Sequence, residues 1–110
     1  MRTVVTLIVA TAGLLTATQA SARMSDQDYL QASRCAALVA SHELTGGPVE
    51  TAVIEAKLRA ERYNRPSFVT DMGDQARQRA NREARHASDE GKQRLVAERD
   101  GVCPNVLAPL

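Results

Sequence analysis

Two cysteines, two histidines and a cluster of four arginines are the residues of this 110-residue chain whose types and spacing offer chemistry. Cys35 and Cys103 are far apart and lack the Cys-x-x-Cys spacing of thioredoxin-type redox sites, so a reactive thiol pair is not indicated. The simpler reading is a structural disulfide, for which Cys35–Cys103 is the only intramolecular pairing. Closing a loop of about 70 residues stabilises by on the order of 4 kcal/mol in the chain-entropy model.

The histidines point less clearly to a reaction. His42-Glu43 begins like a zinc-protease helix, but the position four after His42 is Gly46, and the second ligand of a His-Glu-x-x-His site is missing. His86 lies in a charged segment, where it is placed to pair with Glu90 one turn on. No Cys-x-x-Cys-His offers covalent haem attachment and no glycine-rich loop follows a strand to cradle phosphate. The sequence therefore predicts no catalytic residue, no cofactor and no metal site.

Arg77, Arg79, Arg82 and Arg85 invite an anion-binding reading. Asp71, Asp74, Glu83, Asp89 and Glu90 neutralise the same region, and the four arginines spread around more than half of an ideal helix. Arg79 with Glu83 and Arg85 with Asp89 fall one turn apart, which predicts local ion pairs on a solvated face.

The elements that must carry these residues read as helices throughout. Ser25, followed three residues later by Asp28, opens a first helix with Tyr29, Ala32, Ala36 and Val39 along one stripe and Cys35 beside it. Gly46-Gly47 supplies a left-handed stop and Pro48 suits the first turn of the next helix. There Val49, Ala52, Val53, Ala56, Ala60 and Tyr63 share a face, the strongest amphipathic pattern in the chain, before Asn64-Arg65-Pro66 ends it.

A third helix begins near Ser67 or Thr70. Between Met72 and Leu95 its apolar side chains are alanines, and Ala76, Ala80, Ala84 and Ala87 form a narrow stripe. That stripe is predicted as a helix contact surface, either against the first two helices or toward a second copy or another protein. Ser88-Asp89 offers the cap of a separate last helix, the alternative being one helix over about residues 68–99. Asp100-Gly101 then ends the helical run, and Val102-Cys103-Pro104 opens an extended tail in which Leu107 and Leu110 cover apolar surface.

The N-terminus has a different character. Met1-Arg2, an apolar run from Val4 to Leu15 and the small-x-small pattern Ala20-Ser21-Ala22 match a secretory signal peptide over residues 1–22, cut between Ala22 and Arg23. Thr18-Gln19-Ala20 is a second candidate site. The run is too short to span a bilayer as a stable anchor. Residues 23–110 then form a single small helical domain closed by the disulfide, with 13 basic and 13 acidic residues. That balance gives no field to attract nucleic acid.

The expected architecture is all-α: a small bundle of three to four helices with an extended C-terminal tail, preceded by a signal peptide. The expected function is a non-enzymatic interaction module of the cell envelope, periplasmic or secreted, whose partner is an envelope protein or a second copy of itself. The alternative is a small periplasmic enzyme whose site is assembled from residues distant in sequence, for which a pocket holding His42, His86 or a carboxylate cluster would speak.

Overall fold

The computed structural model describes residues 23–44, 46 and 51–107. The signal-peptide reading of residues 1–22, the Gly47-Pro48-Val49 stretch and Leu110 lie outside the described residues. Among those described the structure is all-helical, with α1 (Asp26–Ala40), α2 (Ala52–Arg62), α3 (Ser67–His86), α4 (Asp89–Gly101) and a single turn, α5 (Cys103–Leu107).

α1 is the hub of the molecule. Its start is fixed by Ser25, whose Oγ accepts from the Asp28 N–H at 3.1 Å, and Asp26 and Asp28 place negative charge at the positive end of the helix dipole. All the other helices pack on it, α3 most extensively. Burial accordingly extends beyond the stripe of Tyr29, Ala32, Ala36 and Val39 to Ser33, Cys35, Ala37 and Leu38.

The helix ends earlier than the glycines suggest. Ser41 is already extended, and its hydroxyl accepts from the Glu43 N–H at 3.3 Å while donating to the Glu43 carboxylate at 3.1 Å. This local turn competes with further helix before the left-handed Gly46 (φ +97°) is reached.

α3 meets α1 through small residues. Ala80 and Ala84 have no exposed surface and join Cys35, Ala37, Leu38, Leu44, Leu95 and Cys103 in one core cluster. Nearer the other end, a Cβ on Gly73 would lie 2.9 Å from the Tyr29 ring and 3.0 Å from Ser33 Oγ. Ser33 Oγ is held by the Tyr29 carbonyl at 2.9 Å, and the Tyr29 ring lies under the Arg65 guanidinium, so neither neighbour can yield cheaply. Gly73→Ala is therefore expected to cost about 1–2 kcal/mol net, the overpacking exceeding the gain in helix propensity. Gly101→Ala, which meets nothing within 4 Å, is expected to be neutral or stabilising. Urea denaturation of the two variants checks the contrast.

α2 turns a different face inward from the one its periodicity advertises. Ala52, Val53, Ala56, Ala60 and Tyr63 are exposed, whereas Leu58 and Glu61 are buried and Ile54 is partly so. Half of the apolar stripe read from the sequence is alanine, with little area to bury. The opposing row carries the larger Ile54 and Leu58, and Glu61 can join it because its charge is paired on arrival. Asn64, with φ 70°, supplies the left-handed residue after α2, and Pro66 precedes the first turn of α3.

The C-terminal segment is helical where an extended tail was predicted. α4 runs through Gly101, the Val102 N–H closes on the Glu98 carbonyl at 2.9 Å, and α5 follows at once. Cys103, bonded to Cys35, holds this turn on α1, and Leu107 packs against both core clusters.

Candidate functional site

The break between α3 and α4 leaves an open concavity beside α1. Ala87 is extended (φ −71°, ψ 147°), and Ser88 starts a new helix by accepting from the Gly91 N–H at 3.1 Å. Residues 67–101 are thus two helices rather than one. Both rest on α1 and make little direct contact with each other, leaving an open groove of about 560 Å³ between them. Glu83, His86 and Ala87 line it from α3 and Arg34 from α1. One face of α4 contributes Gly91, Arg94, Leu95 and Glu98 at spacings of three and four.

Most of the charge in this groove is already committed. Arg34 donates from Nε to Glu98 at 2.6 Å and from Nη2 to Glu98 and Glu83, both at 2.9 Å, tying α1 to α3 and α4 at one point. The hydrogen bond to Glu98 is the largest of the effects that raise the Arg34 pKa further above its ordinary value, and they outweigh the opposing effect of burial. Two lining residues are left over: Arg94 and His86, both exposed, make no hydrogen bond or ion pair with the described residues. The apolar part of the lining is Ala87, Gly91 and Leu95.

A second polar cluster is structural. Arg65 and Glu61 are each 6% exposed at the side chain, with Arg65 Nη2 donating to Glu61 at 2.8 Å and to the Met24 carbonyl at 2.7 Å. Glu61 also accepts from the Met24 N–H at 3.3 Å, and Arg23 Nη2 donates to the carbonyls of Glu61 and Tyr63. The segment that leads into α1 is clasped in this way to the end of α2. Arg77 with Glu55 (3.0 and 2.6 Å) and Arg62 with Asp74 (3.1 and 3.3 Å) join α2 to α3.

Burial pushes the Glu61 carboxyl up, but Arg65, the Met24 amide and Lys57 together prevail and hold its pKa below the ordinary 4.5. Glu55 is likewise held down, chiefly by the hydrogen bonds from Arg77. Carboxyls depressed in the folded state contribute stability that is complete above their unfolded pKa and lost as pH falls through the folded one. The urea midpoint is therefore expected to fall as acid is added below about pH 4.5. Glu61→Gln is expected to be less stable than wild type at neutral pH, with the difference shrinking in acid. A constant difference across this range would contradict the assignment.

The residues singled out from the sequence fall in separate places. Cys35 and Cys103 meet at bonding distance in the core, with Cα atoms 5.6 Å apart. Of the alanine stripe, Ala80 and Ala84 are consumed by the chain's own α1, Ala87 packs partly against the same cluster, and Ala76 is half-buried. Ala80 and Ala84 are therefore taken up inside the domain, where α3 also docks Val69 among Tyr29, Ala32 and Ala36 of α1. His42 is exposed just beyond the end of α1.

The local ion pairs expected on α3 do not form. Glu83 is drawn to Arg34 instead of Arg79, Arg85 does not pair with Asp89, and His86 does not pair with Glu90. For Glu83 a half-buried partner on another helix outcompetes a solvated neighbour one turn away, whose attraction is worth only a few tenths of a kcal/mol. Arg85 with Asp89 and His86 with Glu90 are parted by the helix break at Ala87 and Ser88. Of the four arginines, only Arg77 is engaged.

Sequence reasoning missed Arg34, Glu98 and Arg94. The available signal was the spacing of Gly91, Arg94, Leu95 and Glu98 on one face of α4, with a glycine where a side chain would fill the space.

Among the described residues no group of His, Cys, Asp and Glu is placed to hold a metal ion, and no helix is long and apolar enough to cross a membrane. No protein family, curated protein or solved structure matches the chain.

Proposed function

We propose that the domain is an exported, non-enzymatic interaction module of the cell envelope that engages its partner in the groove between α3 and α4. The observation that carries this reading is the contrast within the groove. Arg34, Glu83 and Glu98 satisfy one another, while Arg94 and His86 share the lining with Ala87, Gly91 and Leu95 and make no polar contact among the described residues. Concave sites that bind combine an apolar lining with a few polar groups that set orientation.

The enzymatic alternative finds one supporting feature, the placement of His86 in a groove that also holds Glu83 and Glu98. Both carboxylates are occupied by Arg34, however, and the lining supplies no serine, threonine or thiol for a base to activate. Binding is the use that these residues support better. A periplasmic or secreted location agrees with the Cys35–Cys103 pair, since oxidising compartments favour such bridges, and with the signal-like residues 1–22.

The test is a photo-cross-linking residue placed at position 94 or, as a control, at the exposed Gln78 of α3, in the protein expressed in its own host. Intact mass of the recovered protein should show a discrete adduct from position 94 and none from position 78. No adduct at 94, or the same adducts at both positions, would contradict the proposal.

A further inference from the structure

We infer that α4 is a strap that opens and closes as a unit while the rest of the domain stays folded, with the Arg34–Glu98 ion pair as its latch; this stands whether or not the groove beside it binds a partner. The helix has little of its own to keep it in place. It is 13 residues long and carries a glycine at position 91, and so short a helix is marginal in water without tertiary support. Gly91 and Leu95 are its buried residues, and Val96 packs partly against the same core cluster as Leu95. α3, by contrast, buries Val69, Gly73, Ala80 and Ala84 along most of its 20 residues, and α1 is buried over most of its length.

With so little apolar burial, the polar tie to α1 carries weight. Arg34 grips Glu98 in a two-pronged fork, Nε at 2.6 Å and Nη2 at 2.9 Å, with the two side chains only 23% and 24% exposed. A forked, shielded pair of this kind is stronger than an ordinary surface ion pair. Glu83 of α3 also accepts from Arg34 Nη2, so the guanidinium keeps a partner when α4 moves off. Both ends of the strap are defined. Ala87 and Ser88 are extended and separate it from α3, while Cys103, bonded to Cys35, fixes the other end to α1. Gly101, just before that end, has open space where a side chain would stand. Opening uncovers Leu95 and the part of the main core that it closes.

The experiment is amide hydrogen exchange of the oxidised protein, read residue by residue under conditions where the rate reports the population of open forms. Protection over residues 92–99 should be lower by about tenfold or more than over residues 80–84 of α3 and 36–39 of α1, the pattern of a unit that opens before the whole domain unfolds. Glu98→Gln should lower protection in α4 by about a further tenfold and leave α1 and α3 unchanged, as expected for loss of a charged hydrogen-bonded pair. Glu83→Gln leaves the Arg34–Glu98 pair in place and should not alter protection in α4. Equal protection in the three helices would overturn the inference, because α4 would then open only with the whole domain. A Glu98→Gln effect spread evenly over the helices, or the same loss in α4 from both substitutions, would also overturn it.

Discussion

Arg65→Ala is expected to destabilise the domain by about 3 kcal/mol, the cost of breaking a buried ion pair and the hydrogen bonds around it. Arg65 is 6% exposed, donates to the Glu61 carbonyl and carboxylate, the Met24 carbonyl and the Asp26 carboxylate, and lies 4.8 Å above the centre of the Tyr29 ring. Its removal takes from Glu61, also 6% exposed at the side chain, its nearest cation, leaving Lys57 at 3.5 Å and Arg23 at 3.7 Å, and releases the segment leading into α1. Arg65→Lys should recover little, because an ammonium cannot reproduce the fork or the stacking. The double substitution Arg65→Met with Glu61→Leu should recover much of the loss, since it removes both charges together. Urea denaturation of the three variants decides the matter, and a double variant less stable than Arg65→Ala would contradict the account.

Loss of the Cys35–Cys103 bridge is the second large effect. The bonded residues are separated by 68 positions, and replacing both by alanine frees an unfolded chain that the bridge had restricted, at a cost of about 4 kcal/mol. For a small domain whose total stability is on the order of 5–15 kcal/mol, that is a large fraction. The structural consequence is local as well, because the bridge fixes α5 to α1, and α5 contributes Val106 and Leu107 to the core. Denaturation midpoints of the oxidised protein and the Cys35→Ala, Cys103→Ala variant should differ accordingly. A difference below about 1 kcal/mol would show that the unfolded chain is already restricted or that the native bridge is strained.

What was legible in the sequence is what local chemistry dictates. Ser25 and Ser88 announce their helices because a serine hydroxyl before a helical run accepts from an orphan backbone N–H three residues on, and both do so. Asn64 and Pro66 mark the end of α2 for equally local reasons. The pairing of the cysteines needed no geometry, since only one intramolecular choice existed.

What was not legible depends on which residues meet across the fold. Periodicity gave α2 an alanine-rich face, yet the buried row is Ile54, Leu58 and Glu61, and a buried glutamate cannot be foreseen without Arg65 and the Met24 amide beside it. The alanine stripe was recognised as a contact surface, but whether α1 or another molecule would cover it depended on tertiary packing. The groove eluded sequence reasoning for the same reason. It exists because α3 and α4 each dock on α1 rather than on each other, and Arg94 and His86 are left over in it because Arg34 has taken both glutamates.

The central claim, a domain that is exported, trimmed and closed by its own disulfide before it acts, is tested most directly by the intact mass of the protein from its own host, measured without and then with reductant. The account predicts a chain beginning at Arg23, found in the envelope or medium, lighter than the reduced form by the two hydrogens lost to the Cys35–Cys103 bond. A full-length chain with both thiols free, recovered from the cytoplasm, would contradict it.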